Sequence, residues 1–66
     1  MEYTNSQVGD LIDEHIHSER DRRIMRRRMI DGIRLETLAE EFELSTVQVG
    51  RIVRREQNRI LKMIQK

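Results

Sequence analysis

The stretch from Ser45 onward is the part of the sequence that most constrains the fold. It contains no proline, so none of its residues interrupts a helix. At about 100° per residue, its apolar side chains gather on one side of a helix: Val49, Ile52, Val53, Ile60, Met63 and Ile64. The opposite side carries mostly polar and basic side chains: Val47, Gln48, Arg51, Arg54, Arg55, Asn58 and Lys62. The pattern predicts a long amphipathic helix capped by Ser45.

Three shorter helical patterns precede this helix. The first, expected over about residues 7–17 and capped by Asn5 or Ser6, has the apolar stripe Val8, Leu11, Ile12 and Ile16. The second, expected over about residues 19–31, begins after Ser18 and is stopped by Gly32. The third, over roughly residues 35–42, has the apolar face Leu35, Leu38, Ala39 and Phe42. The four patterns together predict a small all-α, four-helix domain.

Size and composition agree with a single domain over residues 1–66. A chain of 66 residues without cysteine has neither disulfides nor thiolate metal sites to stabilise it. The absence of proline and the many Arg, Glu, Leu and Ile residues favour helices throughout. No apolar run is long enough to span a membrane, and no export signal is recognisable at the start. We therefore expect a cytoplasmic protein without a membrane partner.

The net charge of +1 conceals an uneven distribution of charge along the chain. Residues 18–34 carry seven Arg and three acids, and residues 51–66 carry six bases and one acid. Residues 1–17 and 35–50 each carry four acids and no Lys or Arg. This alternation can hold the segments together, and it can also give the surface a basic side.

Residues 28–60, RMIDGIRLETLAEEFELSTVQVGRIVRREQNRI, resemble the helix-turn-helix of region 4 of bacterial sigma factors. They are also similar to the small sigma-like proteins of phages and mobile elements. The residues that carry the likeness are Arg28, Gly32, Glu36, Leu38, Ala39, Phe42, Leu44, Ser45, Val49 and Ile52. The resemblance implies a helix-turn-helix core at about residues 35–58, whose last helix is the recognition helix. It also implies regulation of transcription, with double-stranded DNA as the main partner and RNA polymerase as a further candidate.

The sequence departs from the family pattern at three places. Glu43 occupies the turn position where the family usually has Gly, so we expect a turn that is either wider than usual or strained by a positive φ at Glu43. Arg34 stands where a Ser or Thr normally caps the first helix of the pair. The tip of the recognition helix is small and neutral, whereas sigma factors typically carry charged residues there. Recognition of a promoter's −35 element therefore does not carry over to this chain.

The expected base contacts are the residues at this tip: Thr46, Val47, Gln48, Gly50 and Arg51. Gln can bind adenine through two hydrogen bonds, and the methyl groups of Val or Thr can touch the thymine methyl. Gly50 would allow a close approach of the helix backbone, and Arg51 could read guanine or hold a phosphate. The tip thus favours A·T-rich steps. The expected phosphate contacts are Ser45, Arg54, Arg55 and Lys62, which supply affinity rather than sequence preference.

One internal ion pair is expected within the core. Arg28 lies among the apolar residues of the second helix and is expected to point inward. A buried arginine needs a carboxylate, and Glu56, inside the apolar face of the last helix, is the first candidate partner. Glu36 and Glu40 are the alternatives.

Catalysis and metal binding are not expected. His15 and His17 are two positions apart and lie on different faces of a helix, whereas zinc ligands on one helix are four positions apart. No catalytic residues, metal ligands or cofactor are therefore expected, and an enzyme is not predicted.

Two alternatives stay open at this point. The chain could be a protein-interaction module with a helix-turn-helix shape that binds RNA polymerase or another protein without DNA specificity. It could also form a homodimer, since such modules usually pair across a two-fold axis. Candidate residues for a dimer contact are Tyr3, Leu61 and Ile64.

Overall fold

The computed structural model describes residues 3–64, and this part of the chain folds into four α-helices. They are α1 (Asn5–His15), α2 (Glu19–Met29), α3 (Leu35–Phe42) and α4 (Thr46–Ile64). No strand occurs within residues 3–64. The predicted all-α, four-helix fold with a long C-terminal helix is confirmed. None of the described helices is long and apolar enough to cross a membrane.

The start of α1 differs from the prediction. Thr4 is the N-cap, rather than Asn5 or Ser6, and the helix ends at His15. The Thr4 hydroxyl accepts a hydrogen bond from the Gln7 N–H at 3.2 Å, and the Gln7 side-chain oxygen accepts one from the Thr4 N–H at 2.8 Å. This reciprocal pair satisfies two backbone donors, which neither Asn5 nor Ser6 achieves at its own position.

Helix α2 begins as predicted and ends early. Ser18 caps it by accepting a hydrogen bond from the Asp21 N–H. The helix ends at Met29 rather than Asp31, and the Ile33 N–H turns back to the Arg27 carbonyl at 3.1 Å. Gly32 supplies the positive φ of 70° that this reversal requires.

Helix α3 has the predicted bounds, and its ends show the predicted irregularities. Arg34 is the N-cap and makes no side-chain capping bond. Glu43, at the C-terminal end, is in the left-handed region with φ 55° and ψ 44°. A side chain there costs roughly 1–2 kcal/mol relative to ordinary backbone. The turn is thus the tight one that glycine normally makes, formed here with a strained Glu43.

The core lies between the four helices. Its buried apolar residues are Ile12, Ile16, Ile24, Met25, Leu38, Ala39, Val49, Ile52, Val53 and Ile60. Between α3 and α4, Leu38, Val49 and Ile52 are buried and Phe42 is half-buried. On α4 the core ends at Ile60, so Met63, predicted on the packing face, is instead 49% exposed.

The expected inward orientation of Arg28 is wrong. Its side chain is exposed and donates a hydrogen bond of 2.9 Å to the Ile33 carbonyl. Because α2 stops at Met29, Arg28 lies in the last turn, next to the α2–α3 loop that it bridges. Glu56 is buried as predicted, but the arginines near its carboxylate are Arg55 and Arg59 of its own helix.

Candidate nucleic-acid interface

Helices α3 and α4 are packed against each other and joined by a turn over residues 43–45. This is the length of turn found in helix-turn-helix units. The turn is held by the Leu44 N–H, which donates to the Ala39 carbonyl at 2.9 Å. Ala39 is buried at this junction, where its small side chain permits close packing of the two helices. The first turns of α4 follow this turn directly, and they form one end of the polar side of α4.

The five expected base-contact residues lie together at the start of α4. Thr46, Val47, Gln48 and Arg51 are exposed, and Gly50 is half-buried. Val47 is 63% exposed, which is the largest exposure among the exposed large apolar side chains of residues 3–64. The tip therefore presents methyl groups to solvent, and Arg51 is the one charged residue among the five.

Gln48 has a structural role that the sequence analysis did not assign. Its side-chain oxygen accepts a hydrogen bond from the Ser45 N–H at 2.9 Å, while the Ser45 hydroxyl accepts one from the Gln48 N–H at 3.1 Å. This is a capping box at the start of α4. Reading adenine through two hydrogen bonds uses both the oxygen and the nitrogen of the amide. Gln48 can therefore read a base in that way only by sharing or releasing its bond to Ser45.

Nothing in the described part of the chain explains why residue 50 is a glycine. It has an ordinary helical φ, and a Cβ added to it would meet no atom within 4 Å. Glycine inside a helix costs about 1 kcal/mol relative to alanine. The backbone at Gly50 is thus uncovered beside the exposed tip, and neither packing nor conformation within residues 3–64 requires the missing side chain.

The expected phosphate contacts fall into two groups. Arg54 and Lys62 are exposed, as is Arg51, and within residues 3–64 none of these three side chains forms an ion pair. Arg55 is different, because it donates a hydrogen bond of 2.9 Å to Asp21 on α2. Ser45 is exposed, and its hydroxyl oxygen is engaged in the capping box. Arg51, Arg54 and Lys62 are thus three cations on the outward face of α4 without a carboxylate partner within residues 3–64.

Asp21 is the site residue that the sequence analysis missed. It is buried, with 4% of its surface exposed, and accepts hydrogen bonds from Arg20 at 3.2 Å and Arg55 at 2.9 Å. The periodic signal was present, because Asp21 precedes Ile24 and Met25 by three and four positions and shares their face. The expected ion pair had its arginine on α2 and its carboxylate on α4. The observed pair has the carboxylate on α2 and the arginine on α4.

An open depression lies beside this pair, between the start of α2 and the first half of α4. It measures about 210 Å³ and is lined by Arg20, Leu44, Gln48, Arg51, Ile52 and Arg55. Arg20 and Arg55 are 53% and 57% exposed, so their guanidinium groups reach solvent while Asp21 holds them. The depression is therefore rich in positive charge.

Glu56 lies on the inner side of the same helix. One of its carboxylate oxygens is 3.5 Å from Arg55 and 3.6 Å from Arg59, and the other has no hydrogen-bond partner within residues 3–64. A buried carboxylate without full hydrogen bonding is costly unless cations lie near it. Glu56 therefore attracts the two arginines toward the flank of α4.

Two further arginines of α2 are paired with carboxylates of neighbouring helices. Arg26 binds Asp13 of α1 at 2.7 Å, and Arg27 binds Glu41 of α3. The hydrogen bond from Arg26 lowers the pKa of Asp13, and the hydrogen bond from Arg27 lowers the pKa of Glu41. These pairs neutralise part of the positive charge of α2, whereas Arg22, Arg23 and Arg28 form no ion pair within residues 3–64.

A second, larger depression lies on the α2–α3 side. It measures about 650 Å³ and is lined by Arg23, Arg26, Arg27, Ile30, Asp31, Glu41 and Phe42. The Arg23 guanidinium is 5.9 Å from the centre of the Phe42 ring, within range of a cation–π interaction. None of the predicted contact residues lines this depression. Within residues 3–64, no group of three or more His, Cys, Asp or Glu side chains could hold a metal ion.

Comparisons with protein-family models, curated proteins and solved structures find no match for this chain.

Proposed function

We propose that the chain is a sequence-specific regulator of transcription that binds double-stranded DNA in the cytoplasm through the outward face of α4. The observation that carries this proposal is a row of cations on one exposed face of α4. Arg51, Arg54 and Lys62 are exposed there, and they have no carboxylate partner within residues 3–64. Cations arranged along one exposed face match the regular phosphates of a DNA duplex.

The dimensions of α4 suit the major groove. A helix is about 10–12 Å wide with its side chains, and the major groove of B-DNA is about 12 Å wide. The helix has 19 residues, which corresponds to a length of about 28 Å. Its first turns would enter the groove, and Arg54 and Lys62, further along the same face, would meet the phosphates at its edge.

Base recognition would depend on methyl groups and on close approach. Val47 and Thr46 offer methyl groups to thymine, and Gly50 leaves the helix backbone uncovered beside them. Arg51 is the first cation that could reach a guanine or a phosphate. Since Gln48 is held by Ser45, its contribution to reading adenine would compete with the cap. We expect a preference for A·T-rich steps from this set.

The resemblance of residues 28–60 to region 4 of sigma factors supports the same function. It extends the list of candidate partners to RNA polymerase, and helix-turn-helix modules often act as homodimers. Tyr3 and Leu61 are both 40% exposed, and Ile64 is half-buried, so these residues are accessible for a dimer contact.

A protein-interaction module is the second candidate function. The exposed Val47 favours it, because a neutral apolar tip suits a protein surface as well as a thymine methyl. In this case α4 would dock on RNA polymerase or another protein without selecting a DNA sequence. The two functions differ in their response to salt, because binding to phosphates weakens steeply as salt increases.

A selection experiment separates these candidates. The protein is incubated with a random-sequence duplex pool at two salt concentrations, and the retained DNA is sequenced. An enriched A·T-rich motif with strong salt dependence would support the DNA-binding regulator. Salt-sensitive retention without a motif would contradict sequence specificity, and the absence of retention at low salt would contradict DNA binding altogether.

A further inference from the structure

We propose that Arg20, Arg51 and Arg55 form a single binding site for one DNA backbone phosphate, with Asp21 as the residue that orients it. This inference rests on the proposed function and adds a contact from α2, outside the helix-turn-helix. All three arginines line the depression of about 210 Å³ between the first turn of α2 and α4. Arg20 is 31 and 35 positions from Arg51 and Arg55 in sequence, so only the fold brings it to the other two.

The site lies on the flank of α4, next to its outward face. This flank carries Gln48 and the residues three and seven positions after it, Arg51 and Arg55, which therefore lie on one stripe of the helix. A helix that fills the major groove has its flanks against the two sugar–phosphate walls. Arg51 and Arg55 on this stripe would therefore face a wall, while Thr46, Val47 and Gly50 at the tip face the base edges.

Asp21 prepares two of the three cations before a ligand arrives. It holds Arg20 through Nε and Arg55 through a terminal nitrogen, and each guanidinium has further N–H donors. Both arginine side chains remain more than half exposed, with 53% and 57% of their surface accessible. Groups that are already ordered lose less conformational entropy on binding. Asp21 is thus a positioning residue that does not itself touch the phosphate.

The balance of charge suits a single anion. Three arginines and one buried carboxylate leave two positive charges, and the nearby Glu56 is offset by Arg59 at 3.6 Å. A phosphodiester carries one negative charge, and guanidinium groups bind its oxygens through paired hydrogen bonds. Leu44 and Ile52 line the same depression and give the arginines an apolar surface to lie against.

The test compares Arg20→Gln with Arg23→Gln. Both changes remove one exposed arginine from α2, but Arg23 lies in the other depression, beside Phe42. Binding of a fluorescent random-sequence duplex is measured at a series of salt concentrations. For Arg20→Gln we expect several-fold weaker binding, and a slope of log affinity against log salt that is smaller by about 0.9. For Arg23→Gln we expect the wild-type slope.

Two further variants guard against a trivial loss of folding. Arg51 forms no ion pair within residues 3–64, so Arg51→Gln removes a member of the site without breaking an internal contact. It should lower the slope by a similar amount. Arg20→Lys keeps the charge, so its slope of log affinity against log salt should equal that of the wild type, although a lysine cannot make the paired hydrogen bonds of a guanidinium.

The outcomes distinguish this site from the proposed function. If the wild type binds DNA with salt dependence while Arg20→Gln and Arg23→Gln have equal slopes, the phosphate site is wrong and the proposed function stands. If the wild type does not bind the duplex at any salt concentration, both are wrong. The site is supported if the slope is smaller than that of the wild type in Arg20→Gln and Arg51→Gln and equal to it in Arg20→Lys.

Discussion

Asp21 on α2 accepts a hydrogen bond of 2.9 Å from Arg55 on α4, across 34 positions of sequence. The carboxylate is buried and the guanidinium is largely exposed, so the pair connects the core to the basic surface. It fixes the start of α2 against the middle of α4, and it holds Arg20 in the same place. This contact therefore contributes both to stability and to the shape of the proposed interface.

Replacement of Asp21 by Asn should change stability and DNA affinity in opposite directions. Losing a buried charged acceptor should lower the free energy of unfolding by about 1–2 kcal/mol, since the arginines can still reach water. The Asn oxygen can still accept a hydrogen bond from one arginine, so part of the orientation is kept, while the site loses a negative charge; non-specific DNA affinity at low salt should therefore rise. Thermal melts and duplex titrations check these effects. Asp10→Asn, at an exposed position, is the control and should alter stability by less than about 0.5 kcal/mol.

Gly50→Ala should stabilise the fold and weaken DNA binding. The added Cβ meets nothing within 4 Å, and alanine in a helix is favoured by about 1 kcal/mol over glycine. The same methyl group would stand between the α4 backbone and the DNA. Gly32→Ala is the matched control, because it also meets nothing within 4 Å but has a φ of 70°, and it should destabilise the protein. Unchanged DNA affinity in a stabilised Gly50→Ala variant would contradict close approach at this position.

Glu43→Gly should raise stability by relieving the left-handed backbone. The strain at Glu43 is roughly 1–2 kcal/mol, and the extra freedom of glycine in the unfolded chain offsets about 0.4–1 kcal/mol of it. A net gain of about 0.5–1 kcal/mol is expected in urea unfolding. Glu40→Gly, inside α3, should instead cost about 1 kcal/mol. A loss of stability in Glu43→Gly would show that the glutamate side chain compensates the strain.

Stability should decrease in acid because of two exposed carboxylates. The Arg26 hydrogen bond lowers the pKa of Asp13 below its ordinary 3.8, and the Arg27 hydrogen bond lowers the pKa of Glu41 below its ordinary 4.5. A lowered folded-state pKa means that the contribution is complete above the unfolded pKa and is lost as pH falls through the folded pKa. Melting temperatures should therefore begin to fall below about pH 4.5.

The double variant Asp13→Asn with Glu41→Gln is the comparison for this acid effect. It should lose less stability between about pH 5 and pH 3 than the wild type does. Both pairs are exposed, so added salt should reduce the difference between the two proteins. Equal acid sensitivity of the two proteins at low salt would show that these pairs do not contribute.

Local signals in the sequence predicted most of the fold. The apolar periodicity identified all four helices, and Ser18 and Ser45 were correct caps because a cap depends on residues a few positions away. The two capping boxes could also have been recognised from the sequence, since Thr4 and Ser45 are each followed three positions later by Gln. Recognition of the first would have placed α1 correctly, and recognition of the second would have revealed the structural role of Gln48.

The pairing of charges could not be derived in the same way. Arg28 was expected inside because it shares a face with Ile24 and Met25, but it lies in the last turn of α2, where its guanidinium reaches the Ile33 carbonyl of the α2–α3 loop. The Asp21–Arg55 pair depends on how α2 crosses α4, which no local pattern specifies. The cations that remain unpaired on α4 are equally a result of tertiary packing. The sequence therefore indicated which residues share the outward face of α4, but not which of them have internal partners.

The salt dependence of duplex binding, compared between the wild type and Arg54→Ala, tests the central claim most directly. Arg54 is exposed and forms no ion pair within residues 3–64, so its removal should leave the melting temperature unchanged. The wild type should bind a random-sequence duplex more weakly as salt increases, and Arg54→Ala should reduce the log–log slope by about 0.9. Binding that does not depend on salt, or a slope that is the same in both proteins, would contradict a DNA-binding face on α4.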